Sequence, residues 1–184
     1  MSNVVEIARK YLGQTEISGN KGFNDKIFEK RMKDVGWLPG LAWCSFLGEM
    51  IWREAYPSFS KDFDKLFSGS ATTTYKNFEQ AGWPVGQVPK VGALVVWRLG
   101  TGWQGHLGVV TTENIKSFTS VEGNTSDGKS REGYIVAEHP HIISKTLKPN
   151  GLNLVGFVYP KEQPTPDPKS LPSFDIKAFW PFKK

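Results

Sequence analysis

Apolar residues at Val4, Ile7, Ala8, Tyr11 and Leu12 repeat with the i, i+3, i+4, i+7, i+8 spacing of a helix buried along one face. Asn3 and Glu6 stand where a capping pair would, and Gly13 where the helix would stop. The same period predicts a second helix over residues 24–33 and a third that begins around Trp43 and turns Phe46, Leu47, Met50 and Ile51 inward. A fourth covers residues 71–81 and is closed by Gly82 and Pro84. Beyond Pro89 the pattern becomes that of strands, at 93–98, 106–112, 118–122, 134–137 and 154–159, separated by turns rich in glycine and asparagine. Helices come first and strands afterwards. That segregation predicts an α+β domain with amino-terminal helices packed on a small antiparallel sheet.

Proline usage sets a boundary to this domain. Of the 12 prolines, Pro160, Pro164, Pro166, Pro168, Pro172 and Pro181 crowd the carboxyl end. Proline fixes φ and lacks a donor, so residues 161–184 read as an extended proline-rich linker with an aromatic and basic tail, following one domain over 1–160. A length of 184 residues fits that division. The longest apolar run, 93–97, falls far short of the ~20 residues that span a bilayer, so no stable membrane insertion is expected. Glu6, Arg9 and Lys10 interrupt the amino terminus, which does not read as a signal peptide. The expectation is synthesis in the cytoplasm. The net charge of +5 is dispersed and does not suggest nucleic acid.

A single cysteine, Cys44, excludes internal disulfides and multi-cysteine zinc sites. It opens the third expected helix, where free amides and the helix dipole favour the thiolate, the nucleophilic form. His106 begins a strand after a glycine-rich loop, and Glu122 ends the next strand, with Asn124 just beyond. In an antiparallel hairpin the start of one strand lies beside the end of the next, which brings His106 and Glu122 together. Nucleophile, proton shuttle and orienting group then form the set required for thiol-dependent hydrolysis. Taken alone, Glu122-Gly123-Asn124 reads as a plain turn.

At these residues the sequence resembles the CHAP domains (cysteine, histidine-dependent amidohydrolase/peptidase) of phage endolysins and bacterial wall hydrolases. The resemblance covers about residues 5–159. It rests on Gly13-Gln-Thr-Glu16 with Gly19-Asn20, Trp43-Cys44-Ser45-Phe46, Val91-Gly92-Ala-Leu-Val-Val-Trp97, Gly105-His106-Leu-Gly-Val-Val and Val121-Glu122-Gly123-Asn124-Thr125. It implies a papain-like CHAP fold and the cutting of an amide bond in peptidoglycan, either as an N-acetylmuramoyl-L-alanine amidase or as a stem or cross-bridge endopeptidase. It also implies Cys44 as nucleophile, His106 as general base and acid, and Glu122 as orienter, with Asn124 assisting. Trp43, Trp37, Trp103, Glu16 and Asn20 are candidates for substrate binding.

Departures from the family's pattern are Ala93, where many relatives carry Asp, and the segment 19–25, whose one acidic residue is too few for a tight calcium site. No cofactor or metal is called for. The implied partner is peptidoglycan, reached after holin-type release or machine-mediated delivery, with a delivery partner or immunity protein in the second case, and the chain is expected to be a monomer. Two other enzyme readings exist: a papain-like effector cleaving protein, and a zinc hydrolase using His106, His139 and His141, the latter two straddling Pro140 in an expected loop. A non-catalytic wall-binding module is the remaining one.

Overall fold

The computed structural model describes residues 3–126, 133–144 and 146–161. From residue 162 onward the expected proline-rich tail lies outside the described residues. Helix α1 (Asn3–Lys10) buries Val4, Val5, Ile7 and Ala8, and the chain turns at Gly13, whose φ of 82° suits glycine. A short hairpin follows, β1 (Glu16–Ile17) and β2 (Gly22–Phe23). Helix α2 (Lys26–Asp34) begins two residues later than expected, because the Asp25 carboxylate accepts from the amides of Ile27 and Phe28 and so occupies the capping position. The period-based reading finds the buried face of a helix, whereas the cap sets its first turn.

Helix α3 (Cys44–Ala55) is the centre of the molecule. It is buried on nearly every side, the pattern of a helix surrounded by other elements. Leu47, Ile51 and Trp52 are fully enclosed, and each such side chain contributes about 1.5–3 kcal/mol through burial. Glu49, the buried carboxylate of α3, pairs with Arg53 at 2.6 Å, and Glu54 pairs with Lys10 and Arg31. A 3-10 turn (Pro57–Phe59), α4 (Ser60–Leu66) and α5 (Ala71–Gln80) complete the helical layer. Trp52, Phe63, Phe67, Phe78 and Trp83 pack there at ring separations of 5.1–6.2 Å, mostly edge to face or tilted.

The strands β3 (Val85–Gly86), β4 (Leu94–Leu99), β5 (Gly105–Glu113), β6 (Ser117–Thr125), β7 (Ile135–Ile142) and β8 (Leu152–Val158) form one antiparallel sheet in the order β3-β8-β4-β5-β6-β7. Alternation assigns its two faces. Leu94, Val96, Leu107, Val109 and Val121 face the helices, while Val95, Trp97, Val110, Phe118 and Phe157 form a smaller core on the other side. The β1–β2 hairpin, α4 and β3 are not foreseen from the sequence. Two of them are two-residue pairings too short to show a period, and α4 has only Phe63 and Leu66 buried. The expected loop around Pro140 is instead strand β7. Pro140 lies in an edge strand, where a missing donor is tolerated.

Candidate active site

Cys44 is the first residue of α3, behind Trp43 at the N-cap, which offers no side-chain acceptor. No N-cap side chain therefore competes with the sulfur for the open amides of the first turn. Hydrogen bonding from the His106 ring and from the Leu107 and Ser45 amides favours the Cys44 thiolate. Leu107 is free to donate because β5 pairs with β6 only from Gly108, opposite Glu122, onward. The β5–β6 ladder ends at that pair; past Glu122 the pairing of β6 with β7 shifts register and Asn124 takes φ 54°. The amino end of α3 packs against this end of β6, with Trp43 beside Gly123.

Two glycines let it come close. A Cβ on Gly123 would stand 2.4 Å from Trp43 Cζ3 and 2.6 Å from Leu47 Cδ2, and one on Gly48 would stand 2.4 Å from Leu107 Cδ2. Gly123 lies within β6, so it serves close packing rather than the plain turn that its neighbours suggest.

His106 presents Nε2 to Glu122 Oε2 at 2.8 Å. A carboxylate only accepts, so Nε2 carries the proton and Nδ1 is the nitrogen left for the sulfur. Gly108 separates His106 from Val110 on the same face of β5; a Cβ there would be 2.7 Å from Glu122 Cγ. Its absence allows the Glu122 side chain to cross over β5. The second oxygen, Oε1, accepts from Ser120 Oγ at 2.7 Å and from His141 Nε2 at 2.6 Å. Every polar atom of this buried carboxylate is thus occupied.

Electrostatics follow from that geometry. Burial opposes ionisation of the Cys44 thiol, but the His106 hydrogen bond and charge, with the amides of Leu107 and Ser45, outweigh it and hold the pKa below the ordinary thiol value. Burial likewise disfavours charge on His106, yet its hydrogen bonds to Cys44 and Glu122 raise its pKa to about 10. Glu122 is pushed up by burial and pulled far below the usual carboxylate range by its two histidines. Sulfur and ring therefore favour a thiolate–imidazolium pair.

Of the residues expected from the sequence, Cys44, His106 and Glu122 form one group, Glu122 hydrogen-bonded to His106 and His106 acting on the sulfur so as to favour its thiolate. Asn124 does not join it. Its Oδ1 accepts from the Trp43 amide at 3.2 Å, and its Nδ2 donates to the Gly133 carbonyl at 2.8 Å and lies 3.5 Å from Asn20 Oδ1. Asn124 therefore braces the peptide before the nucleophile rather than the imidazole.

Two expected substrate contacts, Trp37 and Trp43, require correction. Trp37 and Trp43 have 0% exposure and pack around Phe23, so neither indole lines a groove. Glu16 is committed to that packing, since its Oε2 accepts from Trp43 Nε1 at 2.6 Å and its Oε1 from the Asn20 amide at 3.2 Å. Asn20 in turn takes φ 56° and accepts from the Gly40 amide at 2.7 Å through its carbonyl, tying the β1–β2 hairpin to the loop before Cys44. Trp103 is different. It is 78% exposed, and its loop neighbours Gln104 and Gly105 line an open cleft of about 310 Å³ that reaches His106 and Glu122.

His106 and Glu122 also border a second cavity of about 300 Å³, walled by Trp97, Phe118, His141 and Leu154 with Lys148 at its lining. Ser120 is absent from the sequence-based site, and His141 enters it only in the zinc reading. Ser120 carried a signal, because it is two residues from Glu122 and so on the same face of a strand; His141 carried none, since its approach depends on the pairing of β6 with β7. The imidazoles do not assemble as a zinc site. His106 and His141 both turn Nε2 to Glu122, His139 Nε2 lies 3.3 Å from Thr125 Oγ1, and among the described residues no group of three such side chains is placed to hold a metal ion.

A family model described as CHAP domain matches residues 36–124. The match agrees with the resemblance drawn from the motifs, and its span holds Cys44, His106, Glu122 and Asn124. It indicates a hydrolase of amidase or peptidase type. No curated protein and no solved structure matches the chain. Helix α1 and strands β7 and β8 lie outside the matched span yet pack into the same core and sheet.

Proposed function

We propose that this chain is a cysteine-dependent peptidoglycan hydrolase whose CHAP segment cleaves an amide bond of the cell wall through Cys44, His106 and Glu122. The observation that carries the reading is the single line from a sulfur at a helix start, through an imidazole, to a fully bonded buried carboxylate. The Cys44 thiolate attacks the amide carbonyl and forms a carbon–sulfur bond. The tetrahedral oxygen takes the electron pair of the carbonyl and is met by the Cys44 amide, one of those left without an intrahelical acceptor. As the carbon–nitrogen bond breaks, His106 gives its Nδ1 proton to the departing amine. Neutral His106 then takes a proton from water, whose oxygen displaces the sulfur and releases the acid. Glu122 keeps the ring aligned through both halves of the reaction.

The target is the amide between muramic acid and the first alanine, or a peptide bond in the stem or cross-bridge. Digestion of purified peptidoglycan followed by mass spectrometry separates these. Free lactyl groups on muramic acid mark the amidase, and new peptide amino termini mark the endopeptidase. Identical fragments from wild type and Cys44→Ala would overturn the enzymatic reading.

A further inference from the structure

We infer that His141 is a positioning residue for this reaction: from β7 it holds the Glu122 carboxylate in the orientation that directs Oε2 at His106. The inference rests on the reading of Cys44, His106 and Glu122 as one catalytic set. Glu122 enters the site from β6, and of its two Oε1 partners Ser120 belongs to the same strand, two residues away. A hydroxyl that moves with β6 cannot fix the carboxylate relative to anything else. His141 supplies the external reference, through a donor 2.6 Å from Oε1 on the neighbouring strand.

The ring of His141 is itself held. It stacks on Phe118, its direct partner across the β6–β7 ladder, at 5.1 Å, and meets Trp97 at 4.9 Å. Trp97 also stacks on His106 at 5.8 Å, so one indole backs both histidines. The arrangement is particular to this position, since His139, next along the same face of β7, turns to Thr125 instead. His141 remains 27% exposed at the second cavity, where Lys148 is a cation among the described lining residues. The described structure thus contains a chain His141–Glu122–His106–Cys44 that begins at that cavity and ends at the sulfur.

The test uses the intact chain and needs no substrate, so it stands apart from whether peptidoglycan is the target. His141→Phe keeps an aromatic ring between Trp97 and Phe118 but cannot donate; His141→Gln can place an amide N–H near the original Nε2. Two readouts apply: the NMR resonance of the His106 Nε2 proton, and the rate of Cys44 alkylation by iodoacetamide at neutral pH. His141→Phe should move that resonance and slow alkylation about tenfold, the scale of one hydrogen bond to a charged group, and His141→Gln should restore most of both.

In a Glu122→Gln background His141→Phe should add little to the loss. An unchanged His106 resonance and alkylation rate in His141→Phe would overturn the inference. So would an equal loss in both backgrounds, which marks general loosening of the sheet. Should His141→Phe fail to fold, His141→Gln and His141→Asn decide: Asn is too short to reach Oε1, and only a Gln-specific rescue fits.

Discussion

At the scale of single residues, chemistry and packing demand opposite things of neighbouring positions. Cys44 and His106 must be enclosed enough to exchange a proton directly, and Glu122 can be ionised in that enclosure only because three donors reach it. Glu122→Gln removes the charge that supports the imidazolium. It should lower kcat about 10²-fold or more while leaving KM within a few-fold, as a group acting mainly in the transition state does; steady-state kinetics check this.

The activity profile should be bell-shaped. Its acid limb is protonation of the Cys44 thiolate, at a pH below the ordinary thiol value, and its alkaline limb is loss of the His106 proton near about 10. Residue types and spacing made Cys44, His106 and Glu122 legible. They could not show that Asn124 and Glu16 serve the nucleophile's loop, because a hydrogen-bonding side chain is the same letter whether it meets ligand or backbone.

Between elements, the site depends on how near α3 comes to the edge of paired β5 and β6. Gly48 and Gly123 set that distance. Gly123→Ala should force Trp43 and the first turn of α3 outward, an overpacking cost of about 1–3 kcal/mol. Activity should fall further than stability, because the sulfur leaves His106; thermal unfolding and turnover measured together distinguish the two. An unshifted midpoint with full activity would mean the helix has room to spare. Helices and long strands could be read from hydrophobic period, and their order already implied the layered fold. Hidden from that reading were the two-residue strands and the register slip past Glu122, which are consequences of pairing partners distant in the chain. The sequence puts His139 and His141 in a loop for the same reason: Pro140 argues for a loop until the strand is known to be at the edge of a sheet.

For the molecule as a whole, the same buried carboxylate links catalysis to stability. The pKa of Glu122 in the folded state is depressed. Its contribution to stability is therefore present above the unfolded carboxylate value, about 4.3, and is lost as pH falls through that region and below. Calorimetry between about pH 6 and pH 3 should show a steeper loss of midpoint for wild type than for Glu122→Gln, with other carboxylates cancelling in the comparison. Parallel curves would mean that Glu122 gains nothing from its partners in the fold.

The central claim is that Cys44 and His106 exist as a thiolate–imidazolium pair, and alkylation of Cys44 by iodoacetamide across pH, followed by intact mass, tests it most directly. The rate should already be high well below the ordinary thiol pKa of about 8.5, and in His106→Ala it should be low at neutral pH and rise only near or above that value. A wild-type profile that follows an ordinary thiol, or one that His106→Ala leaves in place, would contradict the account.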